Sequence, residues 1–126
     1  LDLSANTLLV NAYFYGNSFT SINITGCTKL VLFYAYSNSS LTTITGAAAL
    51  GQAAGTPNIQ VYSCSITAAV IDAILAACVA GGRTGGYLDY KAQTGDGHLD
   101  GNRSVQGAAD ILTLEGLTPA WSVVRA

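Results

Sequence analysis

The sequence predicts one α/β domain, a short solenoid of repeated coils with a parallel sheet that is closed by a C-terminal β/α cap. Two observations predict this fold: an apolar pattern recurs every 21 to 22 residues in the first half, and helical periodicity replaces it from Thr67. A length of 126 residues suits a single core. We therefore expect coils over residues 1–66 and a helix-strand-helix-strand cap over residues 67–126 of the same domain.

Each copy of the repeat combines alternating apolar residues with a polar residue at a turn. Alternation places one short strand in each coil, and the asparagine can bond to backbone groups where the chain turns. A single coil cannot bury its apolar side, so neighbouring coils must stack and their strands should form a parallel sheet. The copies are Leu9-x-x-Ala12-x-Phe14-x-x-Asn17-x-Phe19, Leu30-x-x-Phe33-x-Ala35-x-x-Asn38 with Leu41 displaced by one residue, and the partial Ile59-x-Val61-x-x-Cys64-x-Ile66.

Four tyrosines form the candidate interaction surface of the predicted sheet. Tyr13, Tyr15, Tyr34 and Tyr36 alternate with the inward apolar residues, so their side chains should line one outer face. Tyrosine supplies large amphipathic contact area at low entropic cost. The alternative is that these residues only favour strand structure.

The elements after the repeats follow from the turn and helix signals. We expect an irregular inserted loop over Gly46–Pro57, a helix capped by Thr67 and stopped by Gly81 and Gly82, and a strand over 85–90. A polar loop over Lys91–Arg103 and a second helix from Ser104 to about Leu117 should follow. A last strand over Trp121–Val124 then completes a lid on the open core.

Charge is scarce in the first half of the chain. Only Asp2 and Lys29 are charged between Leu1 and Ile71. Because soluble monomers normally keep an interspersed charged surface, this deficit favours a surface that contacts other subunits, although an uncharged polar surface can also stay soluble. A net charge of −2 without a basic run argues against nucleic acid. The segment Ile66–Gly82 is too short to span a bilayer and contains Asp72, so we expect no membrane insertion.

The sequence predicts no catalytic residues, no cofactor and no metal site. His98 lies in a loop with Asp96 and Asp100, but no nucleophile or nucleotide-binding motif accompanies it. The loop 91–103 could supply oxygens to calcium, yet it lacks the EF-hand order, and a solvated turn is the alternative. Three cysteines without a CxxC spacing are expected to be buried free thiols: Cys27, Cys64 and Cys78.

Turns such as CTKLVLFYAYSNSSLTTI, followed by the closing segment AAVIDAILAACVAGGRTGGYLDY, resemble the leucine-rich-repeat-like proteins of bacteriophage structural regions and bacterial surfaces. The resemblance extends over nearly the whole chain. The family's usual Gly-Trp-x-Val ending is replaced by Pro119-Ala120-Trp121-Ser122-Val123. The absence of methionine and the repeat pattern at Leu1 also suggest a fragment or a processed product.

The resemblance implies a non-enzymatic virion component, on the capsid surface or the tail, that assembles with other subunits. The alternative is an adhesion module on a phage or a bacterial cell surface that binds a host receptor or a glycan. The first hypothesis predicts that the uncharged half is buried between subunits. The second predicts that the tyrosines stay exposed in the assembled state.

Overall fold

The chain folds as a mixed α/β domain with two parallel sheets. The structure is a computed structural model, and it describes residues 1–91, 93, 105–117 and 120–125. Its elements are β1 (Asn11–Tyr13), β2 (Ser21–Asn23), β3 (Leu32–Tyr34), β4 (Thr43–Thr45), a 3-10 helix (Ala47–Gly51), β5 (Asn58–Gln60), α1 (Ala68–Gly81), β6 (Tyr87–Asp89), α2 (Val105–Gly116) and β7 (Ser122–Val124).

The larger sheet has five strands in the order β1-β3-β5-β6-β7, and every neighbouring pair is parallel. The middle residues of the strands are aligned by this register and point into the core. Four of them are almost completely buried: Ala12, Phe33, Ile59 and Leu88. The alternating apolar pattern therefore places its inner residues as the sequence predicts.

The smaller sheet pairs β2 with β4, also in parallel, and aligns Ile22 with Ile44. The beginning of the chain extends it, since Asp2 forms a bridge to Asn23 and the Leu3 amide donates to the Asn23 carbonyl at 2.8 Å. Buried residues of both sheets belong to one hydrophobic cluster. The chain thus alternates between the two sheets from β1 to β5 and encloses one core.

Helix α1 follows the prediction closely. Thr67 is its N-cap, although its side chain makes no capping hydrogen bond, and Gly82 ends the helix in the left-handed conformation that glycine adopts without steric cost. The helix buries Ile71, Ile74, Leu75 and Cys78, and Val70 packs against the core while partly exposed. No helix in the described part of the chain is long and apolar enough to cross a membrane.

The prediction of an irregular loop over Gly46–Pro57 is wrong for its first part, where the 3-10 helix lies against α1. Small residues permit this close approach. A Cβ atom on Gly51 would overlap the Ala77 carbonyl oxygen, and one on Gly81 would overlap the Gly51 carbonyl oxygen. The Ala- and Gly-rich composition that suggested a loop is therefore a packing requirement.

The C-terminal cap differs from the predicted lid in one respect: β6 and β7 continue the five-stranded sheet. Trp121 helps to fix them, because its indole nitrogen donates to the Arg83 carbonyl at 2.7 Å and its ring lies where a Cβ on Gly86 would be. Both strands are shorter than the predicted ranges 85–90 and 121–124, and Ser104, the predicted cap of α2, lies outside the described residues.

Replacing Gly51 by alanine should destabilise the fold, because the added methyl group must push the 3-10 helix away from α1. Overpacking of this kind costs about 1–3 kcal/mol. Urea unfolding followed by Trp121 fluorescence would measure the change. Gly116→Ala is the matched control, since a Cβ at Gly116 meets open space. Equal unfolding midpoints for the two variants would contradict the packing argument.

Candidate interaction surface

The outward residues of the larger sheet form aligned rows across neighbouring strands. One row runs through the last residues of the strands, where the register aligns Tyr13 with Tyr34, Tyr34 with Gln60, and Gln60 with Asp89. A second row lies two residues further along each strand and contains Tyr15, Tyr36, Tyr62 and Lys91. Together the two rows form what we call the tyrosine face.

Three tyrosine rings of the second row stack on one another. Tyr15 and Tyr36 have ring centroids 4.9 Å apart with planes inclined by 2°, and Tyr36 and Tyr62 have centroids 4.5 Å apart with planes inclined by 7°. The Lys91 ammonium lies 5.2 Å from the Tyr62 centroid and covers the far side of that ring. The spacing of the rings follows from the distance between neighbouring strands.

All four tyrosines that the sequence singles out meet on this surface. Tyr13 and Tyr34 contact each other edge to face at 5.3 Å between centroids, and Tyr34 lies 6.2 Å from Tyr36. Tyr13 and Tyr15 are about half exposed, at 53% and 51%. The tyrosine face is therefore an ordered aromatic surface that is already assembled in the isolated chain.

The rows end in a polar cluster around Asp89, whose side chain is buried. Its carboxylate accepts a hydrogen bond from the Tyr87 hydroxyl at 3.3 Å and pairs with the Lys91 ammonium at 3.1 Å. The carboxylate raises the pKa of Lys91, and partial burial followed by the Asp89 charge raises the pKa of Tyr87. Asp89 thereby holds Lys91 over the tyrosine stack in its charged form.

The surface also includes three residues that the sequence pattern did not predict: Tyr62, Asp89 and Lys91. Tyr62 sits in the partial third copy of the repeat, where it follows Val61 as Tyr36 follows Ala35. That spacing could have identified it. Asp89 and Lys91 could not be found in this way, because they join the rows only through the pairing of β5 with β6.

A ladder of hydrogen bonds lies beneath the second row and holds neighbouring strands at their turns. The fully buried Asn38 amide donates to the Ala35 carbonyl at 3.0 Å and to the Phe14 carbonyl of the adjacent strand at 2.8 Å, while its oxygen accepts from the Phe19 amide at 3.3 Å. Each bond satisfies a backbone group that would otherwise be buried without a hydrogen-bond partner. Asn38 thus ties its own turn to the preceding one.

Cys64 and then Gln93 occupy the position equivalent to Asn38 in the next two turns along the sheet. The Cys64 thiol donates to the Ala35 carbonyl at 3.3 Å, and a thiol is a weaker donor than an amide. Gln93 restores the full arrangement, because its amide donates to the carbonyls of Tyr90 and Val61 and its oxygen accepts from the Ile66 amide at 3.1 Å. Gln93 lies outside every repeat copy seen in the sequence.

A residue in the left-handed conformation precedes Asn17, Asn38 and Cys64. Gly16, Ser37 and Ser63 have φ values of 69°, 57° and 53°, and each amide donates to a carbonyl just beyond the next strand of the sheet. This conformation is costly for a residue with a Cβ atom. A single residue therefore separates the tyrosine of each turn from the polar side chain that follows it.

The second row is uncharged apart from Lys91. Partial burial, with smaller contributions from Tyr62 and Tyr15, raises the pKa of Tyr36, so Tyr36 keeps its proton at neutral pH. The three cysteines are free and buried, as the sequence predicts. Among the described residues, no cluster of three or more His, Cys, Asp or Glu side chains could hold a metal ion, and the loop with His98 lies outside them.

No family model matches the chain, and neither a curated protein nor a solved structure does. The resemblance to leucine-rich-repeat-like proteins of phages therefore remains a prediction.

Replacing Asn38 by alanine should lower the free energy of unfolding by about 1–3 kcal/mol, because the Phe19 amide loses its acceptor and the carbonyls of Phe14 and Ala35 each lose one donor. Asn17→Ala is the matched control. Asn17 is exposed and bonds only to carbonyls of its own turn, so water can replace it. Urea unfolding midpoints would separate the two variants. A larger loss for Asn17→Ala than for Asn38→Ala would contradict the ladder.

The Cys78 thiol should make stability fall at alkaline pH. Burial in α1 raises the pKa of Cys78 from 9.0 to about 12. Between these values the unfolded chain has lost this proton and the folded chain has kept it, so stability decreases as pH rises, by up to about 1.4 kcal/mol per unit. Unfolding measured at pH 8, 9 and 10 should show a steeper decline for the wild type than for Cys78→Ala. Identical slopes would contradict the assignment.

Proposed function

We propose that this chain is a non-enzymatic interaction protein that assembles with other subunits through its tyrosine face, as a component of a virion or a bacterial surface. The stack of Tyr15, Tyr36 and Tyr62 is the observation that carries the proposal. Tyrosine is enriched at protein interfaces because it combines apolar area with a hydroxyl group. Rings that already support one another lose little further freedom when a partner covers them.

We also propose that the fold is a short solenoid of stacked coils. We interpret the alternation between two parallel sheets, the ladder from Asn38 to Gln93 and the aligned turns as the coils of a short leucine-rich-repeat-like solenoid. Residues 67–126 close that solenoid by adding β6 and β7 to its sheet. Stacked repeats of this kind commonly bind partners on the sheet face.

Charge supports assembly with protein subunits. The tyrosine face carries only the paired Asp89 and Lys91, so a partner need not remove unpaired charges from water. A contact built from uncharged aromatic residues is also not weakened by salt, because ionic screening acts on charged groups.

A glycan or receptor site is the second candidate, and one observation favours it. Among the described residues, Tyr15 is stacked only by Tyr36, and it is half exposed. Its outer side therefore offers aromatic surface on which a ligand could pack. The rings of Tyr36 and Tyr62 are covered on both sides, so they present edges and hydroxyl groups. This difference makes the surface better suited to a protein partner than to a sugar ring.

Light scattering of the purified chain at low and high salt tests the proposal. We expect an oligomer of the same mass in both conditions, because its contacts are uncharged. Tyr36→Ser removes the centre of the stack and should dissociate that oligomer. Leu112→Ser, which replaces an apolar side chain that is 71% exposed on α2, is the control and should leave the mass unchanged.

Three other outcomes of these measurements would argue against assembly through the tyrosine face. A monomer that binds a glycan on an array, with binding lost in Tyr15→Ser and Tyr36→Ser, would replace assembly by the second candidate. A monomer that binds no glycan would contradict self-assembly and a glycan site, and would leave a protein receptor as the ligand of the second candidate. An oligomer that survives Tyr36→Ser would show that its contacts lie elsewhere on the chain.

A further inference from the structure

Two basic side chains of the described chain have no acidic partner. Lys91 and Arg125 each pair with a carboxylate. Lys29 and Arg83, in contrast, form no ion pair with a described residue, and Lys29 is exposed. Cations that a fold leaves unpaired at its surface attract negatively charged partners and orient them. These two residues therefore mark a candidate site for an acidic ligand.

Lys29 and Arg83 open onto one continuous surface. Lys29 lines an open cleft of about 550 Å³, Arg83 lines a second cleft of about 460 Å³, and Gln52 belongs to both. The Arg83 Nε also donates to the carbonyl of Ala53, a residue that lines the cleft of Lys29, at 3.1 Å. The two clefts therefore adjoin. We call the joined surface, defined by Lys29, Gln52 and Arg83, the basic cleft.

Close packing holds the walls of the basic cleft in place. A Cβ atom on Gly55 would come within 3.0 Å of the Val31 side chain, so the loop before β5 lies directly on the residue that precedes β3. Gly51 and Gly81 bring the 3-10 helix still closer to α1. A partner therefore meets a preformed surface, and little ordering of the cleft has to accompany binding.

Arg83 is held in position and keeps donors free. Its backbone carbonyl accepts from the Trp121 indole nitrogen at 2.7 Å, and its Nε is engaged by the Ala53 carbonyl. The two terminal nitrogens of its guanidinium make no hydrogen bond to a described residue. A guanidinium matches the two oxygens of a carboxylate with a planar pair of N–H donors. Arg83 is therefore oriented to receive a carboxylate in the basic cleft.

The spacing of the two cations suits two acidic groups on an extended chain. Lys29 precedes β3 and Arg83 precedes β6, with β5 between those strands. Because neighbouring strands are about 4.8 Å apart, the two backbones are separated by about 10 Å. An extended peptide spans that distance in about three residues. Between the cations lie Ala54 and Gly55, whose amides donate to no described residue and are available to carbonyl groups of such a chain.

We propose that the basic cleft binds an extended acidic segment of a partner protein, with one carboxylate on Arg83 and a second, about three positions away, on Lys29. Nucleic acid fits less well, because two unpaired cations neutralise few phosphates. The basic cleft lies at the amino ends of the strands, whereas the tyrosine face lies at their carboxyl ends. The inference therefore goes beyond the proposed function and does not depend on it.

Fluorescence anisotropy of short labelled peptides, made of alanine and glycine with two glutamates, tests this proposal on the intact chain. Glutamates about two to four positions apart should bind most tightly, and binding should weaken as salt is raised. Lys29→Gln should lower the affinity about two- to fivefold, as expected for an exposed ion pair, and Arg83→Gln about tenfold. Arg125→Gln removes the same charge away from the cleft and is the matched control.

Amide chemical shifts locate the bound peptide. The glutamate peptide should shift the amides of Ala54 and Gly55 and leave that of Tyr36 in place. Trp121 fluorescence checks that each variant is folded. Lys29→Gln keeps the test valid if Arg83→Gln unfolds, because the exposed Lys29 side chain contacts no described residue through a hydrogen bond or an ion pair.

Several results would overturn the proposal. Equal affinity for a peptide with one glutamate, or for inorganic phosphate, would reduce the basic cleft to a simple anion site. Tighter binding of a single-stranded oligonucleotide than of every peptide would assign it to nucleic acid. Binding that survives Lys29→Gln and Arg83→Gln, or no binding of any glutamate peptide, would leave the cleft without this role. The oligomer that tests the tyrosine face depends on Tyr36 and not on Lys29, so failure of one proposal is distinguishable from failure of the other.

Discussion

The structure depends on how buried backbone groups are satisfied where each strand of the larger sheet ends. A parallel arrangement of short strands brings several turns together inside the protein, away from water. Asn38, Cys64 and Gln93 each donate to carbonyls at these points, and two of them also accept from an amide. The cost of an unsatisfied buried carbonyl exceeds the net gain from an ordinary exposed hydrogen bond, so these three side chains determine which turns can stack.

The tyrosine face is a consequence of that stacking. Once the turns are aligned, residues two positions beyond each strand must lie in one row, at the spacing of the strands themselves. The sequence has tyrosine at three of these positions and lysine at the fourth. Ring stacking then adds to the cohesion of the sheet, and Asp89 orients the lysine that ends the row. A surface suited to contact therefore arises from residues that also stabilise the fold.

The two edge strands of the five-stranded sheet, β1 and β7, have different surroundings. Toward the C-terminus, β6, β7 and α2 cover the core, with Trp121 packed where Gly86 leaves space and Arg125 paired with Glu115. At the other edge, among the described residues, Val10, Tyr13 and Tyr15 beside β1 are exposed.

The sequence by itself determined the inner residues of the strands, the parallel sheet, helix α1 and the meeting of Tyr13, Tyr15, Tyr34 and Tyr36, because each follows from a local period of two, 3.6 or about 21 residues. Only the tertiary structure decided that Gly51 and Gly81 bring a 3-10 helix onto α1, that Gln93 completes the ladder, and that Asp89 and Lys91 extend the tyrosine rows. These residues act across 26 to 32 positions of irregular spacing, where no local period remains. Their partners are fixed by strand register and by the volume left between packed elements, and both are properties of the assembled core.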